Sequence, residues 1–457
     1  MKSNIWIFLA LLSAIAFSLY LRIALPYDQV FTPEWIKFTS VDAYYQMDFV
    51  DRIAPVFNEY LFKMFEVPLF VWLISGTAWI LGWGSPSQSL IDTVGAYFPA
   101  ILGALTIIPV YFIGRELFSK GAGVFAAILI AVLPGEWLGR SILGFTDHHV
   151  AAVLFSTTMM LFLILAINNF QKRRYIYGLL SGLFGVMLYL TEGSGLVFGV
   201  LLTFSLFIIT VNDLLKGRIN IKAILVFGIV SLFGWAFIYS NFASLAHQIG
   251  GFAMGNTPLT TLEMQPILYP AGTFTPMVVW GNFGFIALLF PGMIALFIYK
   301  TAKSGNYNWI LLVVWTIAIL VLMLQFRRFA YYFAINASII TGWFIWYVWD
   351  KLERKYYIPA IMITFFLLAM TIIPNAQNAM ATARITNFAP SDAWMETLDW
   401  IEENTPEDSL IISWWDYGYW IKREANRDAY VNPSQDPGPV KNVARCFLTA
   451  LLLKVIT

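Results

Sequence analysis

Of the 457 residues, 59% are hydrophobic and only 12% are charged, with 28 Lys+Arg against 27 Asp+Glu for a net charge of +1. Soluble domains run at about 25% charged and 45–50% apolar, so this composition excludes a soluble enzyme, a disordered chain and an electrostatic nucleic-acid binder. A single cysteine, Cys446, excludes an internal disulfide framework and a cysteine metal cage, which leaves an all-α polytopic membrane protein.

A lipid-spanning helix needs roughly 20 mostly apolar residues. Such segments fall near 4–24, 95–114, 121–139, 150–168, 175–190, 194–211, 222–241, 279–299, 307–324, 329–349 and 356–373, eleven in all. The first follows Lys2 and has no small-residue cleavage site after it, so it reads as a retained anchor. A further apolar stretch, 62–83, is long enough to be a twelfth.

Loop charge sets orientation and decides the doubtful span. Five loops are basic, carrying Arg115 and Lys120; Lys172, Arg173 and Arg174; Lys216, Arg218 and Lys222; Lys300 and Lys303; Lys351, Arg354 and Lys355. The alternate connections hold only Arg140, Arg327 and Arg328. Thirteen basic residues against three put the basic loops in the cytoplasm. Eleven spans place Lys2 on that side too, so 62–83 is predicted not to cross and to lie as an external or re-entrant helix.

Three long pieces then face outward: 25–94, the 242–278 loop with no Lys or Arg, and a stretch from about 375 that turns charged and turn-rich (SDAWMETLDWIEENTPEDS). The expected organisation is a transmembrane domain over 1–374 and the start of an external soluble domain over 375–457. No repeat of 20–50 residues and no low-complexity tract is present.

Ionisable residues near apolar depth are the informative ones in such a chain, and all fall on the external side. They are Asp42 in SVDAYYQMD; Arg140 with Asp147-His148-His149 in GRSILGFTDHHV; Glu263 in TTLEMQP; Arg327 and Arg328 in QFRRFAYYF; and Asp416 in WWDYGYW. Asp and His one residue apart can both reach a hard or borderline divalent cation, with Asp42 completing the set. Carboxylates with a neutral imidazole suit Mn²⁺ or Mg²⁺, which would balance charge developing on a phosphate leaving group. Arg328 is a natural second phosphate clamp, and Glu263 can accept hydrogen bonds from a polar nucleophile.

Each element also has a plainer reading. A D-x-H triplet is commonly a hydrated loop, Asp42 a helix cap, and an Arg pair a lipid-headgroup contact. Glu263 falls as readily by chance in a long loop, and the WWDYGYW aromatics suit an interfacial belt as well as a peptide-binding surface.

Together the motifs resemble the catalytic subunit of oligosaccharyltransferase in its archaeal single-subunit form, a GT-C glycosyltransferase. WWDYG, Trp414 to Gly418, matches the family signature; DAYY resembles the first external acidic motif, RSILGFTDHH the second, and TTLEMQP the third. The match runs in order from about residue 4 to 445.

The resemblance implies Asp42, Asp147 and His149 as metal ligands, with Asp42 and Glu263 also holding the acceptor Asn carboxamide. It implies Arg140 near the donor phosphate, His148, Arg328 and Tyr419 at the lipid-phosphate donor, and Trp414, Trp415 and Asp416 reading the Ser/Thr hydroxyl of an Asn-x-Ser/Thr sequon. The implied reaction is inverting transfer of an oligosaccharide from a dolichyl-phosphate-type carrier to Asn. A single subunit would carry it out at the extracytoplasmic membrane surface, with Mn²⁺ or Mg²⁺.

The family usually has thirteen spans, two more than counted here, apparently missing between 175 and 241. Its external domain continues past residue 457 and carries a DK-type motif without counterpart here, so the chain is expected to be truncated and its acceptor binding weakened. Competing classes are a transporter or flippase, which would spread ionisable residues through the membrane depth; another GT-C transferase, which would not need WWDYG; and an inactive binding subunit.

Overall fold

The computed structural model describes residues 2–168, 173–192, 198–199, 211, 262–384 and 389–456. Among them, seven helices are long and apolar enough to cross a membrane: Asn4–Val30, Gln88–Leu117, His149–Asn168, Phe285–Ser304, Tyr307–Gln325, Arg327–Leu352 and Tyr357–Ala383. Each coincides with an expected span. Apart from residues 198–199 and 211, the expected spans at 194–211 and 222–241 lie outside the described residues, as does most of the 242–278 loop.

Three of the differences from the sequence reading have a clear local reason. The span expected over 121–139 is a helix Lys120–Val132 followed by a short turn of helix, Gly135–Gly139. Ser119 caps its start, its side chain accepting from Ala122 N at 3.1 Å. Leu133, which precedes Pro134, is extended (φ −62°, ψ 126°) as the proline ring requires. The last span does not stop near 373: Tyr357–Ala383 continues through Pro374, and Asn375 Nδ2 donates to Thr371 O at 2.9 Å on the same helix. The stretch at 62–83 forms a helix only over Leu69–Leu81, 13 residues or roughly 20 Å, shorter than the hydrocarbon core.

The chain divides into two compact units. The first comprises Met1–Ser18, Gly103–Gly139 and Ala151–Thr382. Its centre is the helix Ala330–Leu352, buried almost continuously from Ala330 to Trp343. That helix packs on Lys120–Val132 at a backbone-to-backbone approach that only glycine permits: a Cβ on Gly342 would stand 2.6 Å from Ala126 N. Close approach through small residues is how spans associate in lipid, where hydrophobic burial gives no net drive. A buried polar contact, Asn336 Nδ2 to Thr316 Oγ1 at 3.2 Å, ties the same helix to Tyr307–Gln325.

The second unit comprises Leu19–Leu102, Arg140–Val150 and Ala383–Thr457. Its core element is the helix Val41–Ile53, which buries Ala43, Tyr44, Gln46, Met47, Val50 and Ile53. The chain after residue 388 adds the helix Asp392–Asn404, with Ser391 Oγ accepting from Trp394 N at its start. Arg427 closes the other end, donating to Glu402 O and Thr405 O, both at 2.6 Å. Leu410–Ile411 pairs in parallel with Asp428–Ala429, and the helix Gly418–Glu424 lies in the crossover between them, which is an α/β arrangement.

Candidate active site

The 140–149 segment holds its place through bonds to three neighbours. Leu143 N donates to Arg22 O at 2.8 Å, and Arg22 Nε donates to Ser141 Oγ at 3.0 Å. Thr39 N donates to Gly144 O and Gly144 N to Ala96 O, both at 2.9 Å, while Thr146 Oγ1 donates to Gly95 O at 2.8 Å. Gly144 has φ +78°, a conformation that favours glycine. The loop is therefore fixed before any ligand arrives.

At its end Asp147 is 1% and His149 4% exposed. Asp147 Oδ2 lies 3.0 Å from His149 Nε2 and Oδ1 lies 2.7 Å from His148 Nδ1. His148 N also donates to Oδ1 at 2.7 Å. Burial works to raise the Asp147 carboxyl, but the charges and hydrogen bonds of His149 and His148 override it and hold the group well below the usual carboxylate range. One ligand atom from each of Asp147, His148 and His149 lies within 4.8 Å of the others, close enough together to share one metal ion. A carboxylate with two imidazoles and no thiolate fits a divalent cation of hard or borderline character.

The structure thus brings together Asp147 and His149 of the expected ligand set and adds His148, which the sequence reading assigned to the donor. Asp42 stands in the first turn of Val41–Ile53, exposed, in the same unit but not among those three. Burial, and after it the Asp42 charge, push the Tyr419 hydroxyl well above its usual value, so this phenol stays a hydrogen-bond donor. Its ring lies 4.9 Å from that of Tyr45 on the Asp42 helix. Arg140 lies over the Phe145 ring at 6.0 Å, and its charge acts on His149.

WWDYG is built as an extended residue, Trp414, a 3₁₀ turn Trp415–Tyr417 and the start of the helix Gly418–Glu424. Trp414, Trp415 and Asp416 are half-buried. Burial raises the Asp416 carboxyl against a hydrogen bond with Trp414 that lowers it. Gly418 is required sterically, since a Cβ there would meet Val431 O at 2.3 Å and Asn432 Cα at 2.6 Å.

In the first unit, Glu263 sits half-buried in the turn Leu262–Met264 and Arg328 in the turn Arg327–Phe329. The two turns are joined, Arg327 N donating to Gln265 O at 2.9 Å and Arg328 Nη1 lying 3.7 Å from Met264 Sδ. Sequence reasoning missed two carboxylates here. Arg328 Nη2 donates to Glu192 Oε1 at 3.0 Å, and Tyr332 OH donates to Glu192 Oε2 at 2.9 Å. Arg327 Nε donates to Glu136 Oε1 at 2.6 Å. The signal was available: each is a lone carboxylate at the end of an apolar stretch, where an uncompensated charge is expensive.

The N-terminal family description "Oligosaccharyl transferase STT3" matches residues 66–275. Dolichyl-phosphooligosaccharide-protein glycotransferase 3 of Archaeoglobus fulgidus is 25% identical over 94% of this chain and 64% of its own length. The fold matches the A. fulgidus oligosaccharyltransferase AglB, solved with an inhibitory peptide and a dolichol-phosphate (TM-score 0.79, 24% identity, 95% of this chain and 65% of that one). It also matches the A. fulgidus oligosaccharyltransferase complexed with zinc and sulfate (TM-score 0.72, 24% identity, 93% and 62%). The fold and the spans define a multi-pass membrane protein with the GT-C transmembrane fold. Within that fold the chain is similar to archaeal oligosaccharyltransferases, and residues 66–275 match the N-terminal STT3 description. It spans about two thirds of the length of these relatives, 64% and 65%.

Proposed function

We propose that this chain transfers an oligosaccharide from a dolichyl-phosphate-type lipid to the Asn side chain of Asn-x-Ser/Thr sequons, as a single subunit, at the extracytoplasmic face of the membrane. The observation that carries the reading is the buried Asp147–His148–His149 cluster, held on a braced loop in the same compact unit as Asp42, Tyr419 and WWDYG. The excess of basic residues in alternate loops supports the sidedness.

Asp147 and His149, with Asp42 or His148, would hold Mn²⁺ or Mg²⁺, which supplies positive charge for the lipid phosphate as it leaves. The chain's residues do the rest. Arg328 grips the phosphate, with Arg140, His148 and Tyr419 as further donor contacts. Trp414, Trp415 and Asp416 bind the sequon hydroxyl and so position the Asn. Asp42 and Glu263 accept hydrogen bonds from the carboxamide N–H groups, drawing its nitrogen lone pair out of amide conjugation. The nitrogen attacks the anomeric carbon in line, the bond to the phosphate oxygen breaks, and configuration inverts. The amide proton passes to a carboxylate, and the lipid phosphate departs as an anion stabilised by fixed charge.

The test is transfer from a lipid-linked oligosaccharide to a fluorescent Asn-x-Thr peptide by the full chain. Transfer is expected with Mn²⁺ or Mg²⁺ and not with chelator, and Asp147→Ala is expected to lower it about 100-fold or more. Transfer by Asp147→Ala at the parent rate would overturn the assignment.

A further inference from the structure

The sequon-reading segment must keep a fixed offset from Asp42, because a misplacement of about 1 Å can cost roughly 100-fold in rate. The helix that follows WWDYG meets the Asp42 helix through aromatic contacts, Tyr419 on Tyr45 at 4.9 Å and Trp420 on Tyr44 at 6.2 Å. Such contacts set spacing but tolerate sliding. Directed bonds come from Arg423, on the Gly418–Glu424 helix. Its Nε donates to Asp51 Oδ2 at 2.9 Å, its Nη2 to Asp92 Oδ1, and its Nη1 to Glu424 Oε1 at 2.6 Å. The guanidinium also lies over the Phe38 ring at 5.1 Å, and its side chain is 6% exposed.

Asp51 is on Val41–Ile53, the helix that begins with Asp42, and Asp92 is on Gln88–Leu105. Gln88 Nε2 bridges the two carboxylates, at 2.9 Å from Asp51 Oδ1 and 3.2 Å from Asp92 Oδ1. One planar fork therefore fixes three elements at once, an arrangement a lysine point charge cannot reproduce. Three carboxylates surround one cation, so the cluster is held only while the guanidinium sits at its centre.

Resting on the proposed function, we infer that Arg423 is a positioning residue for acceptor recognition: it locks the sequon-reading segment to the helix carrying Asp42. Its removal loosens acceptor binding while Asp42, Glu263, Arg328 and the Asp147–His148–His149 cluster all remain.

The experiment uses the full chain with Arg423→Gln, Arg423→Lys, and a neutralised variant combining Arg423→Gln with Asp51→Asn, Asp92→Asn and Glu424→Gln. The neutralised variant removes carboxylate repulsion as a cause of misfolding. Two readouts are taken, hydrogen exchange of residues 414–424 and peptide transfer kinetics. For Arg423→Gln and for the neutralised variant, exchange should rise about tenfold and acceptor KM about tenfold, with kcat at saturating peptide and donor within about threefold. Arg423→Lys should restore less than half of the loss. Unchanged exchange, or an equal loss in kcat with acceptor KM constant, would overturn the inference. If the parent chain transfers no oligosaccharide, the proposed function fails, and the exchange readout alone decides whether Arg423 locks the segment.

Discussion

Replacing Gly418 by alanine tests the geometry at WWDYG with the smallest perturbation available. The added methyl would lie 2.3 Å from Val431 O and 2.6 Å from Asn432 Cα, where ordinary contact begins at 3.4 Å. Both obstacles are backbone, so no side chain can swing away, and one segment must move by about 1 Å. Overpacking of this kind costs about 1–3 kcal/mol. The displaced segment carries Trp414 to Asp416, so acceptor use should fall more than stability, about 10–100-fold in kcat/KM for a sequon peptide. Gly438→Ala, where the nearest atom is 3.8 Å away, is the matched control and should leave both quantities unchanged. The assay pairs thermal unfolding in detergent with peptide transfer. Parent-like transfer by Gly418→Ala, with parent-like unfolding, would refute the reasoning.

Other substitutions probe the carboxylates that sequence reading passed over. Glu192→Gln keeps the shape but removes the charge facing Arg328; losing a hydrogen-bonded, largely buried charge partner is expected to raise donor KM about fivefold, a loss near 1 kcal/mol, with acceptor KM unchanged. Asn282→Ala deletes the acceptor for Glu136 N at 2.7 Å and is expected to lower stability by about 1 kcal/mol, read as a fall in unfolding temperature. Burial raises the Glu424 carboxyl above its unfolded value, with Arg423 opposing and the Asp92 and Asp51 charges adding to the rise. A group so raised stabilises fully below its unfolded value, and that contribution is lost as pH climbs through the folded value. Unfolding temperature should therefore fall as pH rises through that window, and Glu424→Gln should flatten the fall; a Glu424→Gln profile parallel to the parent's would contradict this.

The spans and the site motifs were legible because each is encoded locally. A run of apolar residues is read within one window, and Asp147, His148 and His149 are contiguous, so their convergence needs only a loop. What escaped was made by pairing at distance. Glu192 meets Arg328 across 136 positions and Arg423 meets Asp51 across 372; no periodicity links such residues. Helix ends escaped differently. Leu133-Pro134 breaks a uniformly apolar stretch, while Pro374 does not, because Asn375 and its neighbours keep the backbone satisfied. The same residue type thus acts oppositely in two places, and hydropathy counts neither outcome.

The stitching of the 140–149 loop to Arg22, Thr39, Gly95 and Ala96 bears on which ions the cluster accepts. A floppy loop contracts around a small ion and expands around a large one, so its preferences are shallow. Here each backbone shift at Asp147 must strain bonds to three separate segments of the chain. For an ion held by this cluster, ionic radius would then be sensed by the scaffold, through residues that do not themselves hold the ion.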